Sequence, residues 1–161
     1  DKRLTTPNIL DINKCISNFT KKNVKNIVIE ASSHGIKQNR IKGLKFDTVI
    51  FTNLTRDHLD YHENMECYFR EKRKIFNGDN GSLPKVAVIN GDCPYGRRLM
   101  EELPPHVQVL SFGSGDHNSF RAKNLNLQSN GSEFIFEGPF GSKQECRAML
   151  KKLNKARKID G

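Results

Sequence analysis

The sequence predicts an α/β fold, a mostly parallel sheet with flanking helices and a β-hairpin near the C-terminus. Three observations carry that reading: short apolar runs, segments of helical period between them, and polar clusters placed directly behind the runs.

Thr6-Pro7 reads as an N-cap and first helical residue, and Ile9, Ile12, Ile16 and Phe19 follow at helical spacing up to the polar stretch 20–23. NIVIEA (26–31) and FDTVIFT (46–52) are apolar runs that read as buried parallel strands. Asn64 caps a further predicted helix, whose Met65, Tyr68, Phe69, Lys72, Ile75 and Phe76 share one face. The turn-rich NGDNGSLP ends it, and KVAVIN (85–90) is the next strand, with GDCP as its exit turn. Residues 97–103 predict a helix and 107–112 another strand. The stretch FRAKNLNLQSNGSEFIFEGPFG alternates apolar and polar around Asn130-Gly131, the pattern of a hairpin. Residues 143–158 hold seven basic side chains, a helix or a frayed tail. The domain reading is therefore 1–141 for the fold and 142–161 for a basic tail.

Composition bounds the function. The chain has 161 residues and a formal charge of +9, which favours an anionic partner; phosphorylated small molecules and nucleic acids both qualify. No stretch approaches the roughly 18 apolar residues of a membrane span, and the first residues lack the apolar core of a signal peptide. A soluble, cytoplasmic protein is the expectation. Cys15, Cys67, Cys93 and Cys146 form no CxxC pair, so neither a zinc knuckle nor a disulfide framework is indicated. No GxxxxGK[ST] loop and no GxGxxG occurs, so the main phosphate cradle for any ATP substrate is missing from this segment.

In a parallel sheet, chemistry collects at the carboxyl ends of strands. Three polar clusters stand at predicted ends: EASSHG, TNLTRDHLDYH and NGDCP. Glu30 closes the first apolar run. Either it is a strand end already in water, or it is a carboxylate paired with a cation. His58 lies behind the second run, and the two residues converging on one ion would suit Mg²⁺ or Mn²⁺ better than zinc. His58 and His62 have i, i+4 spacing, but the glutamate of HExxH is absent and the segment follows a strand directly. Lys72 falls on an apolar helix face. It either snorkels to water, or is a desolvated amine that reacts with CO₂ to give a carbamate, whose oxygens would reach a cation near His58. Thr5, Thr6, Ser32, Ser33, His34, Gln38 and Arg40 supply the donors that phosphate or carboxylate recognition requires.

Read together, LTTPN, the stretch from IVIEASSHG to FREKRKIF, and AVINGD closely resemble the Mur ligases, most nearly their UDP-N-acetylmuramoyl-tripeptide synthetase branch. The motifs are long: ExSSHG, an Arg six residues beyond its His, FTNLTRDHLDYH, and Tyr-x-x-x-Lys-x-x-x-Phe. The resemblance is strong over 4–113, weakens to 141 and is lost afterwards. It implies most of a central ATPase-type domain, in an enzyme that also has a UDP-sugar-binding N-terminal domain and an amino-acid-binding C-terminal domain. Carried over by position, it implies that Thr5, Thr6, Ser32, Gln38 and Arg40 bind UDP-MurNAc-dipeptide. Glu30, His58 and Lys72 would hold Mg²⁺, with Lys72 carbamylated and His58 and Lys72 catalytic. The implied activity is ATP-dependent amide formation with a diamino acid, in a monomer of the cytoplasm, or of the plastid in a photosynthetic eukaryote, with no membrane or nucleic-acid partner. This chain alone is expected to be inactive. Leu4 and Glu71 depart from the family pattern, which favours Asn and a small residue there. Two alternatives are carried: a non-catalytic, nucleic-acid-associated module of the same fold, and another Mur or folylpolyglutamate-type ligase.

Overall fold

The computed structural model describes residues 4–56, 61–128 and 131–139. His58, Asn130 and the predicted tail 142–161 lie outside the described residues. The elements run α1 (Ile9–Lys21), α2 (Ser33–Lys37), β1 (Thr48–Phe51), α3 (Met65–Arg73), β2 (Val86–Asn90), α4 (Pro94–Glu102), β3 (Gln108–Gly113), β4 (Phe120–Gln128) and β5 (Gly131–Glu137). The strands make one mostly parallel sheet in the order β1-β2-β3-β4-β5, with the last pair antiparallel. The α/β expectation holds.

Helix α1 starts two residues later than the sequence reading placed it. Asn8, not Thr6, is the N-cap, its side chain accepting from the Asp11 amide at 3.0 Å. Thr6 is drawn away to other partners, described below. The helix closes on Asn23 in the left-handed region (φ 57°), with Val24 N donating to Phe19 O and Asn23 N to Thr20 O. Those two bonds make a Schellman stop.

The apolar run 26–31 is not a strand. Apolar β-branched residues favour extended backbone, but a strand exists only where a neighbour accepts its hydrogen bonds. Among the described residues the sheet begins at β1, and none pairs with this run. Two of its apolar side chains are correspondingly in water: Val28 is 95% exposed and Ile27 47%.

The remaining elements follow their patterns. Asn64 caps α3 as expected, accepting from Cys67 N at 2.9 Å, although the helix stops at Arg73 rather than reaching Phe76. The β3–β4 connection, residues 114–119, is far shorter than the dozen or so residues of an ordinary parallel crossover. It suffices because β4 begins beside the end of β3, Phe112 pairing with Phe120 and Gly113 with Arg121. In the β4–β5 hairpin, three steps from Lys123 to Asn126 face two from Ile135 to Glu133, a bulge at which Asn124 takes φ 53°.

Two compact units are distinguishable. One gathers the chain up to residue 49 with 54–87 and 102–108; its buried residues include Ile12, Ile36, Ile41, Val49, Phe69, Phe76 and Ala87. The other gathers 50–53, 88–101 and the described chain from 109 onward, and buries Phe51, Ile89 and Leu99. Among the described residues no helix is long and apolar enough to cross a membrane.

Candidate active site

The candidate residues meet in the first unit, around the start of α2. Ser32 is its N-cap, the hydroxyl accepting from Gly35 N at 3.1 Å. The sequence reading saw the polar cluster EASSHG here but not this short helix. Thr6 is fully buried against it. Its hydroxyl donates to the Glu30 carbonyl oxygen (2.8 Å), accepts from Ser32 N (2.9 Å) and lies 3.0 Å from Ser32 Oγ. This explains the glycine of SSHG: a Cβ on Gly35 would sit 2.8 Å from Thr6 Cβ and Cγ2.

Arg40 joins the same network. Its Nη1 donates to the Thr6 carbonyl oxygen at 2.9 Å and its Nη2 to Gln38 Oε1. Among the described residues two of its five guanidinium donors are thereby used. Thr5 is exposed, and no hydrogen bond involves it among the described residues.

Lys72, on α3, arrives from the other side of the sequence and donates to the Ala31 carbonyl oxygen at 3.1 Å. Burial pushes its pKa below the ordinary lysine value, while the charge of Glu30 opposes part of that shift. Glu71, the family departure, turns away: its carboxylate pairs with Lys74 Nζ at 2.8 Å. Glu30 itself is exposed. It still acts electrostatically on Lys72, which brings two of the three expected cation ligands together. The third, His58, lies outside the described residues. Among the described residues no group of three or more His, Cys, Asp or Glu side chains is arranged to hold a metal. A hard cation fits Glu30 and Lys72 only once the lysine's positive charge has been replaced by carbamate oxygens.

A ring cluster borders this network, and the sequence reading did not find it. His34 stacks on Tyr61 with centroids 3.8 Å apart, and Lys37 Nζ lies 4.7 Å from the Tyr61 centroid. His62 is buried, meets Tyr61 edge-on at 5.0 Å and stacks on Tyr68 at 4.8 Å. The sequence reading already disfavoured a metal pair of His62 with His58, and His58 lies outside the described residues. The only signal in the sequence was the density of His and Tyr in DHLDYH. An open hollow of about 510 Å³ lies along α1, lined by Leu10, Asn13, Lys14, Ser17 and Asn18, none of which takes part in this network.

The Mur ligase middle domain matches residues 1–151. The chain belongs to the Mur ligase middle-domain family. The match runs past residue 141, into the segment read as a separate tail. Similar proteins are UDP-N-acetylmuramoyl-L-alanyl-D-glutamate–2,6-diaminopimelate ligases of Thermosynechococcus vestitus, 44% identical over 71% of this chain and 22% of that protein, and of Neisseria meningitidis serogroup B, 38% identical over 91% and 30%. The L-lysine ligase of Staphylococcus aureus is 36% identical over 86% of the chain and 28% of its own length. A solved 2,6-diaminopimelate ligase superposes with TM-score 0.73 and 26% identity, covering 84% of this chain and 28% of its own. This Mur ligase middle-domain segment thus spans between a fifth and a third of the relatives it matches.

Proposed function

We propose that the chain is the central part of an ATP-dependent ligase that adds a diamino acid to UDP-N-acetylmuramoyl-L-alanyl-D-glutamate. The observation that carries this is the single hydrogen-bonded network of Thr6, Ser32, Gln38 and Arg40, with Lys72 and Glu30 beside it. Residues spread from 6 to 72 converge there with donors left over, as recognition of an anionic substrate requires.

In the proposed reaction the γ-phosphoryl group of ATP passes to the substrate's terminal carboxylate and ADP leaves. The amine of the diamino acid then attacks the acyl carbon, loses a proton, and phosphate departs as the amide forms. Thr5, Thr6, Ser32, Gln38 and Arg40 bind and orient the carboxylate-bearing substrate. Glu30, His58 and Lys72, the last as its carbamate, would hold Mg²⁺, which when bound supplies positive charge beside the reacting phosphate. The phosphate cradle and the amino-acid site lie on segments other than this one, so the chain alone binds substrate weakly and does not turn it over. That relatives of the segment include both diaminopimelate and lysine ligases supports a choice of diamino acid made elsewhere in the enzyme. The enzyme acts as a cytoplasmic monomer. For the nucleic-acid module the supporting feature is the +9 charge, against which stand the three relatives reported above, each named a ligase.

Carbamylation gives a direct test. With ¹³C-labelled bicarbonate, the protein should show a carbamate carbon resonance that Lys72→Arg removes. A spectrum without that resonance in the unsubstituted chain, or one in which it survives Lys72→Arg, overturns the role given to Lys72.

A further inference from the structure

The ring cluster is not used by the function proposed above, yet it ends on the substrate-binding pair. Gln38 Nε2 donates to Tyr61 Oη at 3.3 Å, while Gln38 Oε1 accepts from Arg40 Nη2. The direction is forced. A guanidinium only donates, so the amide oxygen must face Arg40, its NH₂ must face Tyr61, and the phenol oxygen must act as acceptor. The phenolic proton then remains for another acceptor.

Gln38 is an exposed side chain, and without a fixed neighbour it would spread over several rotamers. Tyr61 is that neighbour. Its ring is held by the stack on His34 and the edge contact with His62, which rests in turn on Tyr68 of α3. The helix that carries Lys72 is therefore joined, ring by ring, to the amide that orients Arg40.

We propose that Tyr61 is a positioning residue for substrate recognition: it fixes the Gln38 amide, and through it the Arg40 guanidinium that meets the substrate's anionic groups. The inference rests on the substrate-binding reading proposed above. Tyr61 acts through Gln38, so its effect must vanish when Gln38 is absent, whereas a merely structural role would persist.

The experiment is a ligand-observed NMR titration of UDP-N-acetylmuramoyl-L-alanyl-D-glutamate with the unsubstituted chain, Tyr61→Phe, Gln38→Ala and the double variant. Tyr61→Phe keeps the ring and its stacking. It should weaken binding about three- to tenfold, the range of one net hydrogen bond, with no further loss on the Gln38→Ala background. An unchanged Kd for Tyr61→Phe, or the same fold-loss with Gln38 already removed, overturns the proposal and leaves the substrate reading standing. No binding by any of the four proteins overturns the substrate reading and this inference with it.

Discussion

Two polar clusters of this protein look alike in sequence and differ in what they leave unsatisfied. In the turn after β2, the Asp92 carboxylate takes four hydrogen bonds: Ser114 N (2.6 Å) and Ser114 Oγ (2.8 Å) on one oxygen, Gly115 N (3.1 Å) and Asn118 Nδ2 (2.8 Å) on the other. That exhausts its acceptor sites. Around α2, by contrast, Arg40 has donors to spare and Lys72 is pressed toward the neutral, reactive form. Both clusters follow apolar runs, and the sequence reading placed both at an active edge. Saturation separates them: a polar group whose valences are all met internally builds a turn, and one with valences left over can bind.

The largest expected effect tests the saturated side. Asp92→Ala removes the acceptor of two backbone amides and one buried side-chain amide, and should destabilise the fold by about 2–3 kcal/mol in urea unfolding. The pH dependence sharpens this. The Ser114 backbone amide leads the groups that pull Asp92 down to about 2 from the usual 3.8, against an opposing effect of desolvation. The unfolded chain therefore binds the proton more readily, so stability is fully present above pH about 4 and declines as pH falls from there toward 2. The decline should be absent from Asp92→Ala. A variant as stable as the parent protein, with the same acid limb, would break the contrast.

Gly35→Ala probes how the other cluster is built, and a smaller loss of about 1–2 kcal/mol is expected. The new methyl would meet Thr6 at 2.8 Å, and Thr6 cannot retreat without giving up Glu30 O and Ser32 N. Thermal unfolding measures the loss. A neutral result would mean that Thr6 is less firmly held than its bonds imply.

These residues also show where sequence reading succeeds. Local signals were legible: the Asn64 cap, the apolar runs of β1 and β2, and the alternation of the hairpin all lie within a few residues of their cause. Readings that depended on a distant partner fared differently. NIVIEA has the composition of a strand, but no described residue pairs with it, and an apolar pattern carries no information about whether a neighbour is present. Thr6 has the residue type of a cap, yet its hydroxyl is committed to residues 30 and 32, far along the chain. The candidate site was named residue by residue from the family motifs; the fold joins Thr6, Ser32, Gln38 and Arg40 in one network with Lys72 and Glu30 beside it, while Thr5 takes no part in it among the described residues and His58 lies outside them. Tyr61 escaped because its importance lies in a hydrogen bond across 23 residues, which no local spacing announces.

The smallest expected effect has the opposite sign from the first. Lys72 is half-buried, and burial lowers its pKa, which means that folding disfavours the protonated amine. Lys72→Met keeps the length and apolar character of the stem and removes the charge. In bicarbonate-free buffer at neutral pH it should stabilise the chain by about 0.5–1 kcal/mol, the lost bond to Ala31 O offsetting part of the gain. The advantage must shrink as pH rises from the lowered folded value toward 10.5, because over that interval the folded lysine is already neutral while the unfolded one still holds its proton. Denaturant midpoints measured across this interval decide the matter. Destabilisation by Lys72→Met at neutral pH would mean that this lysine is a satisfied structural cation, no different in kind from Asp92, and the distinction between a finished turn and a site held ready for a ligand would fail at its central residue.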